Sequence, residues 1–152
     1  MRLGAIQTLA TAETDSVSVN LFFQGCDIHC KGCHNPELWP LDGGLEVSVE
    51  EVTEKLKSWR VFHDALVLLG GEPLLQPEAV IALARAGKEM GYELWLFTGR
   101  EYEEVPSAIR DIFDVIKCGP YIEELKTYSF PASTNQYVID KRGIFNAGYL
   151  HL

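Results

Sequence analysis

The chain has 152 residues, 47% of them hydrophobic and 23% charged, a composition typical of a single globular domain, here residues 1–152. Its formal net charge of −9 disfavours binding to a phosphate backbone, so nucleic acid is not expected as a partner. No apolar run approaches the ~20 residues of a membrane span, and residues 1–16 lack the pattern of a secretory signal, so we expect a cytoplasmic protein without a membrane segment.

The predicted elements alternate between strands and helices. Residues 16–23 form a β-branched and aromatic run that predicts a strand, and Ser48 with Glu51 forms a capping box that predicts a helix over residues 49–59. The later predictions are a buried strand at 65–69, a helix from Pro77 to about Met90, a strand at 92–97, a helix at 102–113, and strands at 114–117 and 136–140. This alternation indicates an α/β fold with a mostly parallel sheet. The chain is too short for a closed eight-stranded barrel of ~250 residues, so we expect an open, partial β/α barrel.

Three chemically distinctive segments follow directly on predicted strands. They are the cysteine-containing residues 25–34, Gly70-Gly71-Glu72 and Thr98-Gly99-Arg100. The carboxyl ends of parallel strands meet at the same edge of a sheet. The three segments should therefore converge on one face.

Cys26, Cys30 and Cys33 have the spacing C-x3-C-x2-C, in a segment that also contains His29 and His34. Clustered cysteines in a cytoplasmic protein indicate metal or redox chemistry. One interpretation is a structural zinc site of three thiolates and one histidine, although such sites usually draw a second ligand pair from a separate segment, and none follows here. The other interpretation is a 4Fe-4S cluster, which normally takes four thiolates. Three thiolates leave one iron with an open position, which is typical of a catalytic metal.

The cysteine motif, together with Gly70-Gly71-Glu72-Pro73 after a later strand, resembles the radical S-adenosylmethionine (SAM) family. The sequence looks most similar to the activating proteins of anaerobic (class III) ribonucleoside-triphosphate reductases. The matching segments are LFFQGCDIHCKGCHNPELW, LLGGEPL, LWLFTGR, CGPYIEELK and STNQ. The chain departs from that pattern at His34, where Tyr is usual, at Cys118, where Asp is usual, and at Pro131-Ala132, where Arg-Gly is frequent.

The resemblance implies an oxidoreductase that carries a [4Fe-4S] cluster on Cys26, Cys30 and Cys33, with SAM chelated at the open iron. One electron would cleave SAM to a 5′-deoxyadenosyl radical, which would generate a glycyl radical on the anaerobic reductase. A flavodoxin- or ferredoxin-like protein would supply the electron. The residues expected to bind SAM are Gly32, Cys33, His34, Gly70, Gly71, Glu72 and Thr98. No general acid or base is expected, because the cofactors carry the bond breaking.

Two alternatives remain open from the sequence. The first is an activase of another glycyl-radical enzyme, or a small-molecule radical SAM enzyme. The second is a non-catalytic iron–sulfur or zinc-binding protein.

Four single positions carry expectations of their own. Cys118 is expected not to bind the cluster. A side chain at Gly71 is expected to weaken SAM binding and leave the cluster intact, because the cysteines lie on a separate loop. His63 and His151 have no motif around them and are predicted to be surface residues.

Overall fold

A computed structural model of the protein describes residues 1–144, through which one seven-stranded sheet runs. The strands are β1 Arg2–Ala10, β2 Ser18–Phe23, β3 Leu45–Glu46, β4 Ala65–Gly70, β5 Glu93–Phe97, β6 Val115–Cys118 and β7 Tyr137–Asp140. The α-helices are α1 Val49–Trp59, α2 Pro77–Glu89 and α3 Ser107–Arg110, and short 3-10 turns occupy Pro36–Leu38, Arg60–Phe62, Pro73–Leu75, Tyr102–Glu104 and Glu123–Leu125. His151 lies outside the described residues.

The strand order is β3-β1-β2-β4-β5-β6-β7. The four central strands, β2, β4, β5 and β6, pair in parallel, whereas β1, β3 and β7 pair antiparallel at the two sides. The predicted α/β fold with an open, mostly parallel sheet is therefore confirmed. The loops that leave β2, β4, β5 and β6 all emerge at one edge of the sheet, where ligands bind in folds of this class.

The buried residues form two clusters, one on each face of the sheet. The residues of β4 alternate between them: Leu66 and Leu68 belong to a helix-side cluster, and Ala65 and Val67 to an open-side cluster. The helix-side cluster includes buried residues of α1, α2 and α3. The buried residues of the open-side cluster all come from strands, namely Ala65, Val67, Leu69, Trp95, Val115 and Val138. The sheet therefore carries its helices on one face, as a partial barrel does.

Helix α1 has the predicted bounds and start. The Ser48 hydroxyl accepts a hydrogen bond from the Glu51 N–H, and the Glu51 carboxylate accepts one from the Ser48 N–H, so the capping box is formed. The predicted helix at 102–113 is wrong. Pro106 interrupts it, leaving a 3-10 turn before the proline and the short α3 after it.

His63 was predicted at the surface and is buried, with 3% of its surface exposed. Its Nε2 accepts a hydrogen bond from the Leu9 N–H at 2.9 Å, and its Nδ1 lies 2.6 Å from the Trp59 carbonyl oxygen. The ring thus joins the end of β1 to the end of α1. Leu9 has φ +54°, which leaves its N–H outside the regular sheet pairing.

Within residues 1–144, none of the helices has both the length and the apolar character that crossing a membrane requires.

Candidate functional site

The three clustered cysteines lie on an irregular segment, residues 25–39, which we call the cysteine loop. Two backbone hydrogen bonds close its base: the Gly25 N–H donates to the Leu38 carbonyl at 2.7 Å, and the Cys26 N–H donates to the Trp39 carbonyl at 3.1 Å. Gly25 has φ +101°, a conformation that favours glycine. The loop therefore begins and ends at the carboxyl end of β2.

The loop after β4 binds directly to this base. The Gly71 N–H donates to the Phe23 carbonyl at 2.9 Å, and the Glu72 N–H donates to the Gly25 carbonyl at 2.8 Å. A Cβ atom added at Gly71 would collide with the Gly25 carbonyl oxygen and lie 3.0 Å from that of Leu38. Against the expectation from the sequence, we therefore expect a side chain at Gly71 to disturb the cluster as well, because it would meet the backbone of the cysteine loop.

Glu72 is fully buried and joins the loops after β4 and β5. Its Oε1 accepts hydrogen bonds from the Leu74 N–H at 3.1 Å and the Thr98 hydroxyl at 2.8 Å, and its Oε2 accepts one from the Gly99 N–H at 2.8 Å. Burial raises the pKa of the Glu72 carboxyl above its ordinary value, although the three donors oppose this shift.

Arg100 connects the end of β5 to the end of β6 and to the cysteine loop. Its N–H donates to the Thr98 hydroxyl at 3.0 Å, and its carbonyl accepts from the Gly119 N–H at 2.9 Å. Its Nη2 lies 2.8 and 2.7 Å from the two carboxylate oxygens of Asp27. Hydrogen bonding to this guanidinium holds the pKa of Asp27 below its usual value.

These loops surround an open pocket with an empty volume of about 730 Å³, solvent at its mouth included. Of the residues predicted to bind the cluster or SAM, the pocket is lined by Cys26, Cys30, Cys33, Gly70, Gly71 and Thr98. The three predicted strand-end segments thus converge on one face of the sheet.

Three predicted SAM residues lie elsewhere. Glu72 is buried behind the pocket wall, in the hydrogen bonds given above. Gly32 is exposed, and a Cβ atom there would collide with the Glu123 carboxylate. His34 is also exposed, and its ring centroid lies 5.2 Å from that of Tyr121. The structure therefore gives Gly32 and His34 contacts with the segment after β6.

The sequence analysis missed Lys117, which lines the pocket at the end of β6. Its ammonium lies 4.8 Å from the centroid of the Phe97 ring, and burial lowers its pKa to about 8. Among residues 1–144 it has no ion pair with a carboxylate. A cation in the last residues of an apolar strand, at the binding edge of a parallel sheet, is the signal that could have identified it.

Trp39 also lines the pocket, with its ring stacked on His29 at a centroid distance of 4.5 Å. Its indole nitrogen is buried and has no hydrogen-bond partner within the described part of the chain.

The fourth cysteine, Cys118, is fully buried in the helix-side cluster and does not line the pocket. Burial raises the pKa of its thiol to about 12, so it remains a neutral thiol.

Within residues 1–144, no three His, Cys, Asp or Glu side chains converge on the position of a single metal ion. An iron–sulfur cluster does not require the three thiolates to converge on one point, because each thiolate binds a separate iron. Three thiols around an open pocket, with the Lys117 side chain in its wall, fit a cluster with one open iron and a further polar ligand.

Comparison with known proteins defines the class. Residues 14–139 match the family of 4Fe-4S single cluster domains, and the chain belongs to this family. Among curated proteins it is similar to the pyruvate formate-lyase-activating enzyme of Clostridium pasteurianum, with 33% identity over 68% of this chain and 47% of that protein. It is also similar to the pyruvate formate-lyase 1-activating enzyme of Escherichia coli K12, with 31% identity over 76% of this chain and 50% of that protein. The chain thus spans about half the length of these relatives. The predicted 4Fe-4S cluster is confirmed at the level of the family.

Proposed function

We propose that the protein is a radical SAM activase that generates a glycyl radical on a partner enzyme. One observation carries the proposal: three cysteines, and no fourth within residues 1–144, share an open pocket with Gly70, Gly71 and Lys117 at the binding edge of the sheet. A site closed by a fourth thiolate would suit an electron carrier, whereas an open iron admits a substrate. The similarity to activating enzymes supports the same class of activity.

The residues of the pocket divide into those that hold the cluster and those that hold SAM. Cys26, Cys30 and Cys33 supply the thiolates. One-electron reduction of the SAM sulfonium is the chemistry that a cluster held on them provides. Gly70 and Gly71, which lack a Cβ, let the end of β4 pack against the backbone of β2 and of the cysteine loop, and this packing brings the pocket wall beside the cysteines. Lys117 is the cation placed to receive the SAM carboxylate, which would raise its lowered pKa.

A more specific proposal concerns which partner enzyme is activated. The sequence resemblance favours an anaerobic ribonucleoside-triphosphate reductase, and the named activating enzymes act on pyruvate formate-lyases. In both cases the pocket would receive a glycine-containing loop of a protein. A flavodoxin- or ferredoxin-like donor would reduce the cluster in the cytoplasm, where thiols remain reduced.

The test combines the reconstituted, reduced protein and SAM with each candidate partner under anaerobic conditions. We expect the electron paramagnetic resonance signal of a glycyl radical to appear on the reductase, and not on pyruvate formate-lyase. The matched control is Cys30→Ser, which should give no radical with either. A radical on the lyase alone would show that the partner is the lyase and not the reductase. SAM cleavage without a radical on any glycyl-radical enzyme would overturn the activase function.

A further inference from the structure

The cysteine loop has little structure of its own where it carries the ligands. Between Asp27 and Cys33, all of which the structure describes, the backbone makes one hydrogen bond within the segment, from the Cys33 N–H to the Cys30 carbonyl at 3.1 Å. Neither strand nor helix occurs there. Contacts with other parts of the protein must therefore fix the positions of the thiols before a cluster binds.

Two such contacts connect consecutive loop residues to consecutive residues after β5. The Asp27 carboxylate binds Arg100 through both of its oxygens. The Cδ1 atom of Ile28 lies so close to Gly99 that a Cβ atom there would collide with it. Asp27 and Ile28 lie between two cluster ligands, Cys26 and Cys30, so these contacts hold the part of the loop that joins them.

Arg100 is a firm point of attachment because its own backbone is bound on both sides. Its N–H is bonded to Thr98 and its carbonyl to Gly119, at the ends of β5 and β6. The Arg100 side chain is 29% exposed, against 48% for the Asp27 side chain. Exposed ion pairs in general contribute little to stability, but this pair joins an irregular loop to the fixed end of a sheet.

We propose that Asp27 and Arg100 form a positioning pair that holds the cysteine loop in its cluster-binding conformation in the metal-free protein. Because the conformation exists in advance, assembly of the cluster does not have to order the loop. That the loop holds a cluster rests on the proposed function, whereas the effect of the pair on the loop does not. Neither residue would touch the reacting atoms.

The test measures the alkylation rate of the loop thiols in metal-free protein. Asp27→Asn and Arg100→Gln should each raise this rate about five-fold, the order expected for loss of one partly exposed pair. The double variant should be no faster than either single variant, because both changes remove the same contact. Arg100→Lys should remain near the parent rate, since a single nitrogen makes both contacts with Asp27. Asp64→Asn, which breaks the distant Arg60–Asp64 pair, should have no effect.

The design separates loop release from a direct effect of charge. Losing the Arg100 cation would raise thiol pKa values and slow alkylation, whereas losing the Asp27 anion would speed it. Rates that move in opposite directions, or that do not move, would overturn the proposal. In reconstituted protein, a chelator should remove iron about five-fold faster from both variants. Because alkylation uses metal-free protein, failure of the wild type to cleave SAM would overturn the proposed function and leave this result standing.

Discussion

Glu72 shows how a residue of a recognisable motif can serve the site without facing the ligand. Its carboxyl is fully buried, and three donors from two loops are directed at it. Burial is the largest influence on its pKa and raises it. The folded protein therefore binds a proton at Glu72 more readily than the unfolded chain does.

This shift fixes the sign of a pH effect on stability. The contribution of Glu72 is fully present below about pH 4.5, its ordinary pKa, and is lost as pH rises through the higher folded value. In urea unfolding of metal-free protein, the free energy of unfolding of Glu72→Gln should therefore rise relative to that of the wild type as pH increases from 4.5. The total rise should be about 1.4 kcal/mol for each unit by which folding raises the pKa of Glu72. Gln cannot ionise, so it lacks the loss that the wild type suffers.

The control is Glu103→Gln, at an exposed position. The difference between its free energy of unfolding and that of the wild type should stay constant over the same pH range. A wild-type advantage that grows with pH would contradict the account. It would mean that the three donors outweigh burial and lower the pKa of Glu72.

At this scale the sequence identified the three cysteines that share the pocket, but not the residues that hold the surrounding loops together. Cys26, Cys30 and Cys33 were identified from spacing, because thiolate chemistry restricts which residue types can bind iron. The structural roles of Glu72 and His63 depend on which loops meet in space, and no local pattern encodes that. Lys117 was missed because a lone lysine near the end of a strand occurs in many settings that have no function in binding.

At the scale of elements, the site is a set of strand-end loops bound to one another. The loop after β4 is hydrogen-bonded to the base of the cysteine loop through Gly71 and Glu72. The loop after β5 meets the same two loops through Glu72 and Arg100. A change in one loop should therefore alter the others.

Gly71→Ala tests this coupling. The added methyl group would collide with the Gly25 carbonyl, which is backbone and cannot rotate away. We expect the base of the cysteine loop to shift and affinity for the cluster to fall about ten-fold or more, as for other changes in the support of metal ligands. Iron content after anaerobic reconstitution measures the effect.

Gly143→Ala is the matched control, because an added Cβ atom there has nothing within 4 Å. Its positive φ of +73° adds backbone strain, so it also reports what general destabilisation does to iron uptake. Full iron content in Gly71→Ala with weakened SAM binding would contradict the coupling and restore the expectation drawn from the sequence.

The parallel strands and α1 were predictable because their patterns are local: an apolar run, a capping box, a glycine at the end. The helix at 102–113 was not, since its apolar spacing continues through Pro106 although the proline stops the helix. β1 and β3 were missed and the direction of β7 was not foreseen. Antiparallel pairing at the sides of a sheet depends on the partner strand rather than on the strand itself.

At the scale of the whole molecule, the helices lie on one face of the sheet, and the pocket adjoins the cluster on the other face. The helices cover one face, and Cys118 is buried in their cluster. The pocket is lined instead by Leu69 and Phe97, which belong to or pack against the open-side cluster. Cys118 therefore packs on the opposite face of the sheet from the pocket of the three cysteines, and under the proposed function one iron of the cluster would keep an open position.

The most direct test of the open iron measures 5′-deoxyadenosine formed per chain by anaerobically reconstituted, reduced protein with SAM. The wild type and Cys118→Ser should bind equal iron and release the nucleoside alike, because Cys118 is buried apart from the pocket. Cys30→Ser should lose both iron and cleavage. If the wild type binds iron and leaves SAM intact while Cys118→Ser loses iron or begins to cleave SAM, a fourth thiolate closes the cluster, and the account is wrong.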